Sequence, residues 1–493
     1  MRIVVVGAGV AGLGVALGSS RAGHAVTVLE RDATPFPEDP VQAFEHWERR
    51  GAPQVRHSHA FLARLRNLLR DRLPDILAAL LAHGTEELPI ANLLRNPIDD
   101  PSPRPGDDDL TLLACRRITF EWVLRRAVLD EARIDYQDGA RVEGVTVQDG
   151  RVTGVRVVRD GRECVLEADL VVDAGGRRSG LPRWLEAAGF DKPEEETEPC
   201  GIFYCSRFYR VLPDTTPPER DTTIGADLGY LKFAIFHGDG GIFSITFAAA
   251  PEDKPLRALL HKAPFEAATR ALPATAAWVD PAVSEPITDV HAMDGLRNTR
   301  RFFFRDGEPV APGAIAIGDA AIHSNPLYGR GCSLALVHAF ALVDAVAEHG
   351  RDVVAVAKQT EAALEREILP WYEFAVRQDR DAAVTAREER EEAAPRNTGD
   401  DRGRRVDPRA YLRDLMRRGL VPALRLDATV LRAFLRSFNL LDPPGDLLQR
   451  PDLMQRVLAV YQTRDEREEP ALGPTRQELI ARLAGTTGGH PHA

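Results

Sequence analysis

The chain has 493 residues, 44% of them hydrophobic, and a formal net charge of −11. That length allows two or three domains and a large core. The acid excess argues against a nucleic-acid binder, because such proteins need a net basic face to neutralise phosphates. The N-terminus, "MRIVVVGAGVAG", is too short and too glycine-rich for a secretory signal. No run reaches the ~18–20 continuous apolar residues of a membrane span. The five cysteines, Cys115, Cys164, Cys200, Cys205 and Cys332, are scattered and odd in number, and none stands with histidine at zinc spacing. They read as core or half-buried thiols, so a cytoplasmic location is expected and no metal site is.

Residues 2–6, "RIVVV", suit a parallel strand buried on both faces. Gly7, Gly9 and Gly12 follow, then an Ala/Leu/Val helix to about Ala22 and a second strand, "HAVTVLE", ending at Glu30. Strand, GxGxxG, helix, strand and acid make the βαβ fingerprint of a dinucleotide fold. Gly7 allows the tight turn, Gly9 the approach of a pyrophosphate, and Gly12 close helix–strand packing. N–H groups at the helix start hold the phosphates. Glu30 stands where a carboxylate accepts from both ribose hydroxyls, and it would repel a 2′-phosphate.

Residues 35–56 are polar and read as irregular. "HSHAFLARLRNLLRDRLPDILAALLAHG" reads as an amphipathic helical segment broken near Pro74. Residues 97–109 read as an exposed loop, and "LTLLACRRITFEWVLRRAVLDEA" leads into a helix with 120, 123, 124 and 128 on one apolar side. Residues 141–172 read as a three-stranded meander turned at two Asp-Gly pairs, and "LVVDAGGRRS" ends one further buried strand. Alternation over 201–250 predicts an antiparallel sheet. "AIAIGD", at 314–319, returns to the buried-strand style, and the rest is mostly helical, with a tail, "TTGGHPHA", expected to fray.

This order, closed by "GDAAIHSNPLYGRGCSLAL" at 318–336, resembles the FAD-dependent aromatic hydroxylase and squalene-epoxidase-like monooxygenases, which share the fold of p-hydroxybenzoate hydroxylase. The resemblance covers roughly residues 1–345. It implies an α/β protein with a Rossmann-like FAD-binding domain (1–180 and 296–350, with helical and β-meander insertions). An antiparallel β-sheet substrate domain (181–295) is inserted, and a helical C-terminal region (351–493) follows. Gly318 and Asp319 match the segment that binds the ribityl and pyrophosphate part of FAD. Pro326, Gly329 and Gly331 match the loop that follows. Asp319 can accept from a ribityl hydroxyl; its competing role is to cap the loop. N–H groups near Gly331 and Cys332, at a helix start, would stabilise negative charge on a reduced flavin. Arg117 matches an arginine that contacts FAD phosphate, with Arg116 its rival by one position. The implied cofactor set also takes in Ala11, Arg31, Val142, Ala174 and Gly175.

One departure concerns the electron source. The hydroxylases carry a "GADGxxS"-like stretch, and here "DAGGRRS" puts Gly175 at the aspartate position. NADPH or NADH is the expected donor, with reduction by another donor or by the substrate as alternatives. Arg56, His57 and His59, in "QVRHSHAF", are the candidates for the reacting face. Orienting substrate or taking a phenolic proton competes with a purely structural role for the histidines. The function implied is an FAD-dependent monooxygenase that inserts one oxygen from O2 into a bulky aromatic, polyketide or terpenoid substrate through a flavin C4a-hydroperoxide. The alternative is an FAD-dependent dehydrogenase or reductase of a similar natural product. A halogenase of this kind would carry Trp-x-Trp-x-Ile-Pro, which the chain lacks. The Arg/Leu alternation at 411–441 reads as helices packed on the body, with a peripheral membrane contact as the lesser alternative. Oligomeric state is open.

Overall fold

The computed structural model describes residues 1–95, 98–218, 225–392, 408–467 and 472–487. Its spine is a five-stranded parallel sheet in the order Ala314–Ala316, Leu170–Asp173, Arg2–Val6, Ala25–Leu29, Ile134–Gln137. Register sets Val6 beside Leu29 on one side and Asp173 on the other, with Ala316 beside Asp173. The carboxyl ends of these strands are therefore level, and a cleft opens there, where strand order reverses.

The strands are apolar on both faces because both are covered. Ile3, Val5, Val28 and Val172 pack with the helices Val10–Arg21, Arg117–Asp130 and Gly331–His349. Val4, Val6 and Val171 pack with Val142, Val152 and Val155 of the expected meander, Arg141–Gln148, Arg151–Arg159 and Arg162–Glu167. Its turns are left-handed pairs, with φ of 51° and 71° at Asp149 and Gly150 and 51° and 73° at Asp160 and Gly161, as two-residue hairpins require.

The helix Gly331–His349 has the length and hydropathy of a membrane span, but it is a core helix, with 67% of its apolar window buried. His338 and Asp344 interrupt it, so a count of continuous apolar residues passes over it.

A second, antiparallel sheet runs Gly225–Asp227, Lys232–His237, Ile242–Ala249, Phe203–Val211, Ser284–Pro286, with His291–Met293 also paired to Phe203–Val211. Its own core joins Phe203, Phe243 and Phe247 to Phe265. Three strands, Glu194–Pro199, Arg297–Phe302 and Ile322–His323, form a small separate antiparallel sheet.

Two local expectations are corrected. Residues 35–56 contain a helix, Pro40–His46, started by Asp39, whose carboxylate accepts from the N–H groups of Val41 and Gln42. Asp-Pro is a helix-start signal that the polar composition hid. The helical segment expected from His57 begins only at Ala63, as Ala63–Arg72, and resumes as Pro74–Ala82 after the predicted break. Phe61 instead bridges to Leu113.

The C-terminal region is helical. Segment 411–441 packs on the body through Ala428 and Leu431 against Ile90, Leu94 and Leu110. Tyr411, Leu412, Val421 and Leu426 stay exposed. The expected frayed tail lies, from residue 488, outside the described residues, as does residue 97 of the expected loop.

Candidate functional site

The cleft at the strand ends has a volume of about 710 Å³, and each strand end delivers a turn to it. The first is the glycine turn. A Cβ at Gly12 would lie 2.0 Å from the Gly7 carbonyl oxygen, and one at Gly7 2.5 Å from that of Ala174. Neither position has room for a side chain. At Gly9, nothing lies within 4 Å of such a Cβ. Gly9 is also the N-cap of its helix, and no side chain caps it. The first-turn N–H groups of Val10 and Ala11, which line the cleft, can therefore hold an anion.

Glu30 ends the second strand. Its buried carboxylate accepts from the N–H groups of Ala8 (3.1 Å) and Asp32 (3.0 Å). Arg49 stands 3.4 Å away and Arg125 3.7 Å. Both arginines donate to the Ala8 carbonyl and flank the Trp47 ring. Arg49 also reaches Glu121 at 3.2 Å, which in turn holds Arg117 at 2.6 Å. Sequence reasoning missed Arg49, Arg125 and Glu121, which carry no local signature.

Arg116 and Arg117 are placed differently. Arg116 is bound to the buried Asp239 at 2.5 Å and ties its helix to the antiparallel sheet. Arg117 lines the cleft and donates to Cys332 Sγ at 2.6 Å. Burial pushes the Cys332 thiol up, keeping it protonated.

At the third strand, Asp173 accepts from the Ser179 hydroxyl and from the Gly175 N–H (2.9 Å). Burial raises its carboxyl above the ordinary value. Arg177 reaches across to Asp319 at 3.3 Å. At the fourth, Gly318 has φ of 56° and donates its N–H to His338 Nδ1 at 3.1 Å. The loop beyond it is braced from behind by Asp379, which accepts from Asn298 (2.7 Å), Asn325 (2.8 Å) and the Tyr328 hydroxyl (2.7 Å).

Every residue expected at the cofactor lines this cleft except Gly12, which packs beneath the turn: Arg31, Val142, Ala174, Gly175, Pro326, Gly329 and Gly331 stand with those above. Of the three residues expected at the reacting face, His59 lines the cleft, while Arg56 and His57 do not. Arg56 donates to the Phe44 carbonyl. His57 lies behind Tyr204, ring centroids 5.1 Å apart, with a buried Nδ1 that has no partner. Residues two apart in an irregular segment face different ways. Among the described residues, no three His, Cys, Asp or Glu side chains gather as a metal site.

Burial lowers His57 to about 4, with His291 adding to the effect, and lowers His338 to about 4. Both histidines are neutral in the fold, and the N–H of Gly318 occupies His338 Nδ1. A folded value depressed below the unfolded one means stability that is full above about pH 6.5 and is lost as pH falls toward 4, at about 3 kcal/mol for each histidine. Melting temperature should therefore drop steeply between those limits, and His338→Gln should flatten the fall.

The arrangement as a whole is the fold of flavin-dependent monooxygenases and halogenases. OxyS anhydrotetracycline hydroxylase from Streptomyces rimosus is similar with a TM-score of 0.53 at 18% identity, over 90% of this chain and 76% of its own. The flavin-dependent halogenase CmlS gives 0.57 at 18% identity, over 99% and 77%. A triple mutant of the flavin-dependent brominase Bmp2 gives 0.54 at 17%, over 88% and 97%. At these identities the likeness is one of fold. No protein-family model matches the chain. Protein Rv3254 of Mycobacterium tuberculosis (strain ATCC 25618 / H37Rv) is 31% identical over 368 residues, 68% of this chain and 71% of that protein, and the chain belongs to its family.

Proposed function

We propose that this protein is an FAD-dependent monooxygenase of the p-hydroxybenzoate hydroxylase type, acting on a bulky aromatic, polyketide or terpenoid substrate with O2. The observation that carries the reading is a single cleft holding two uncapped helix starts. One is at Gly9 and the other at Gly331, and neither glycine has a neighbour where a Cβ would stand. That cradle suits a long ligand that is anionic at one end and gains negative charge at the other. FAD is such a ligand, and when bound it supplies the two-electron chemistry that activates oxygen.

In this reading the N–H groups of Val10 and Ala11 bind the pyrophosphate, and Glu30 accepts from the ribose. Asp319 holds the ribityl chain. The N–H groups of Gly331 and Cys332 favour negative charge against the second helix start. Arg117, paired with Glu121, stands at the second helix start, where it donates to Cys332 Sγ. The walls contributed by the antiparallel sheet exclude water and place the substrate. The oxygen-transfer route implied by the sequence, the nicotinamide donor and a cytoplasmic location belong to the same proposal.

The second reading, a dehydrogenase or reductase, is favoured by Gly175 at the aspartate position and by Asp173 being spent on Ser179 and Gly175. An anaerobic titration separates the two. The purified protein is expected to be yellow and to lose absorbance at about 450 nm when NADPH or NADH is added with substrate candidates present. A protein that takes up no FAD overturns both readings. A yellow protein bleached by substrate alone, and by neither nicotinamide, establishes the second.

A further inference from the structure

We infer that the chamber where the antiparallel sheet lines the cleft selects an uncharged aromatic substrate by one hydroxyl group, held between Ser58 and Thr246. This rests on the reading of that chamber as the substrate site. Strands of that sheet bring Tyr204, Phe236, Thr246 and Met293 to the cleft, and the segment before helix Ala63–Arg72 brings Ser58 and His59. Most are rings, or groups with large apolar faces, and they suit a flat apolar body. Besides the Tyr204 hydroxyl, which donates to Met293 Sδ at 2.8 Å, and the His59 ring, the polar feature among them is a chain of four hydroxyls: Ser206 to Thr246 at 2.8 Å, Thr246 to Ser58 at 2.7 Å, and Ser58 to Ser244 at 2.7 Å. Ser206 and Ser244 are buried, so the chain meets the cleft at its two middle members.

Counting protons along this chain defines what it recognises. A hydroxyl has one proton to give and two lone pairs to offer. Thr246 donates to Ser58, so its proton is spent and Ser206 must be the donor in their contact. Thr246 thus keeps one lone pair. When Ser244 donates to Ser58, both Ser58 lone pairs are used and its proton is free. The chamber then shows one donor beside one acceptor. When Ser58 donates to Ser244 instead, the chamber shows acceptors alone. A substrate hydroxyl satisfies either state, giving its proton to Thr246 and accepting from Ser58 in the first.

A carboxylate is served in neither state as a hydroxyl is: in the first it can accept from Ser58 alone, and in the second it finds no donor. It can only accept, and it would stand against the Thr246 lone pair. No lysine or arginine is among these walls. His59 gives its Nδ1 proton to the His57 carbonyl at 3.0 Å, and burial keeps the ring neutral. The nearest cleft arginines, Arg117 and Arg177, are already paired with Glu121 and Asp319.

The test uses the FAD-loaded protein and three probes built on one bicyclic body: 2-naphthol, naphthalene and 2-naphthoate. Binding is read by titration calorimetry. We expect 2-naphthol to bind about tenfold or more tighter than either of the others. Ser58→Ala combined with Thr246→Val should bring naphthol within about threefold of naphthalene, with circular dichroism and FAD content unchanged. Each single variant supplies the comparison if the double one fails to fold. Equal or tighter binding of the naphthoate, no binding of naphthol, or a tenfold preference that survives the substitutions overturns the inference. Calorimetry reads the chamber directly, whereas FAD content and bleaching read the proposed function, so either can fail while the other stands.

Discussion

Replacing Gly9 by aspartate will leave the protein folded and strip it of FAD. Gly9 has φ −86° and ψ −176°, which any L-residue adopts, and an added Cβ meets nothing within 4 Å. Aspartate is a preferred N-cap, better than glycine by only a few tenths of a kcal/mol, so the melting temperature of the FAD-free protein should move by less than about 2 °C. The new carboxylate will accept from the very N–H groups that now go uncapped. It will also place a negative charge where the proposed pyrophosphate lies. Two like charges about 4 Å apart near a protein surface repel by several kcal/mol, so FAD affinity should fall at least about 100-fold in a fluorescence titration. Undiminished affinity would remove the first helix start from the cofactor site.

The second large effect concerns stability. Arg49 is buried between Glu30 and Glu121, at 3.4 and 3.2 Å, with Asp32 at 3.8 Å. Substitution by methionine keeps much of the packing and removes the charge. Glu121 would retain Arg117 and Glu30 would retain Arg125, but two buried carboxylates would be underpaired. Breaking a buried pair from one side costs about 3–5 kcal/mol, against about 0–1 kcal/mol for an exposed pair such as Arg2 with Glu167. Arg49→Met should therefore melt well below the parent, and Arg2→Met should not. The pH dependence has a definite sign. Burial pushes the Glu121 carboxyl up, yet Arg117 and Arg49 together hold it below its ordinary value. A depressed folded value gives stability that is present above about pH 4.3 and lost as pH falls through the folded value. Without Arg49 the folded value rises toward the unfolded one, so this acid-dependent loss becomes smaller and ends at a higher pH, and melts across an acid series should show a flatter fall from a lower starting point.

The features legible before the structure were those whose chemistry is local. "GAGVAG" and Glu30 lie on one βαβ unit, so their spacing alone brings turn, helix start and acid together. The meander announced itself through Asp-Gly pairs, because a two-residue hairpin needs left-handed backbone at adjacent positions. The buried strands and the breaking of a helical run at Pro74 followed from periodicity and from a missing N–H. The helix at Pro40–His46 was hidden because a single capping residue outweighed a polar composition.

What stayed illegible is made of partners distant in the chain. Ser58 meets Thr246 across 188 residues, and Arg116 meets Asp239 across 123. Asn325 meets Asp379 across 54, on a helix that packs behind its loop. His57 and His59 look alike in sequence, yet one lines the cleft and the other lies behind Tyr204. Local residue types set the elements, the turns and the cradle for an anion, since backbone geometry and short-range hydrogen bonds depend on near neighbours. Which charges are neutralised, which histidine faces the cleft and which hydroxyls meet there follow from how the two sheets pack, because burial and pairing exist only between segments that folding brings into contact.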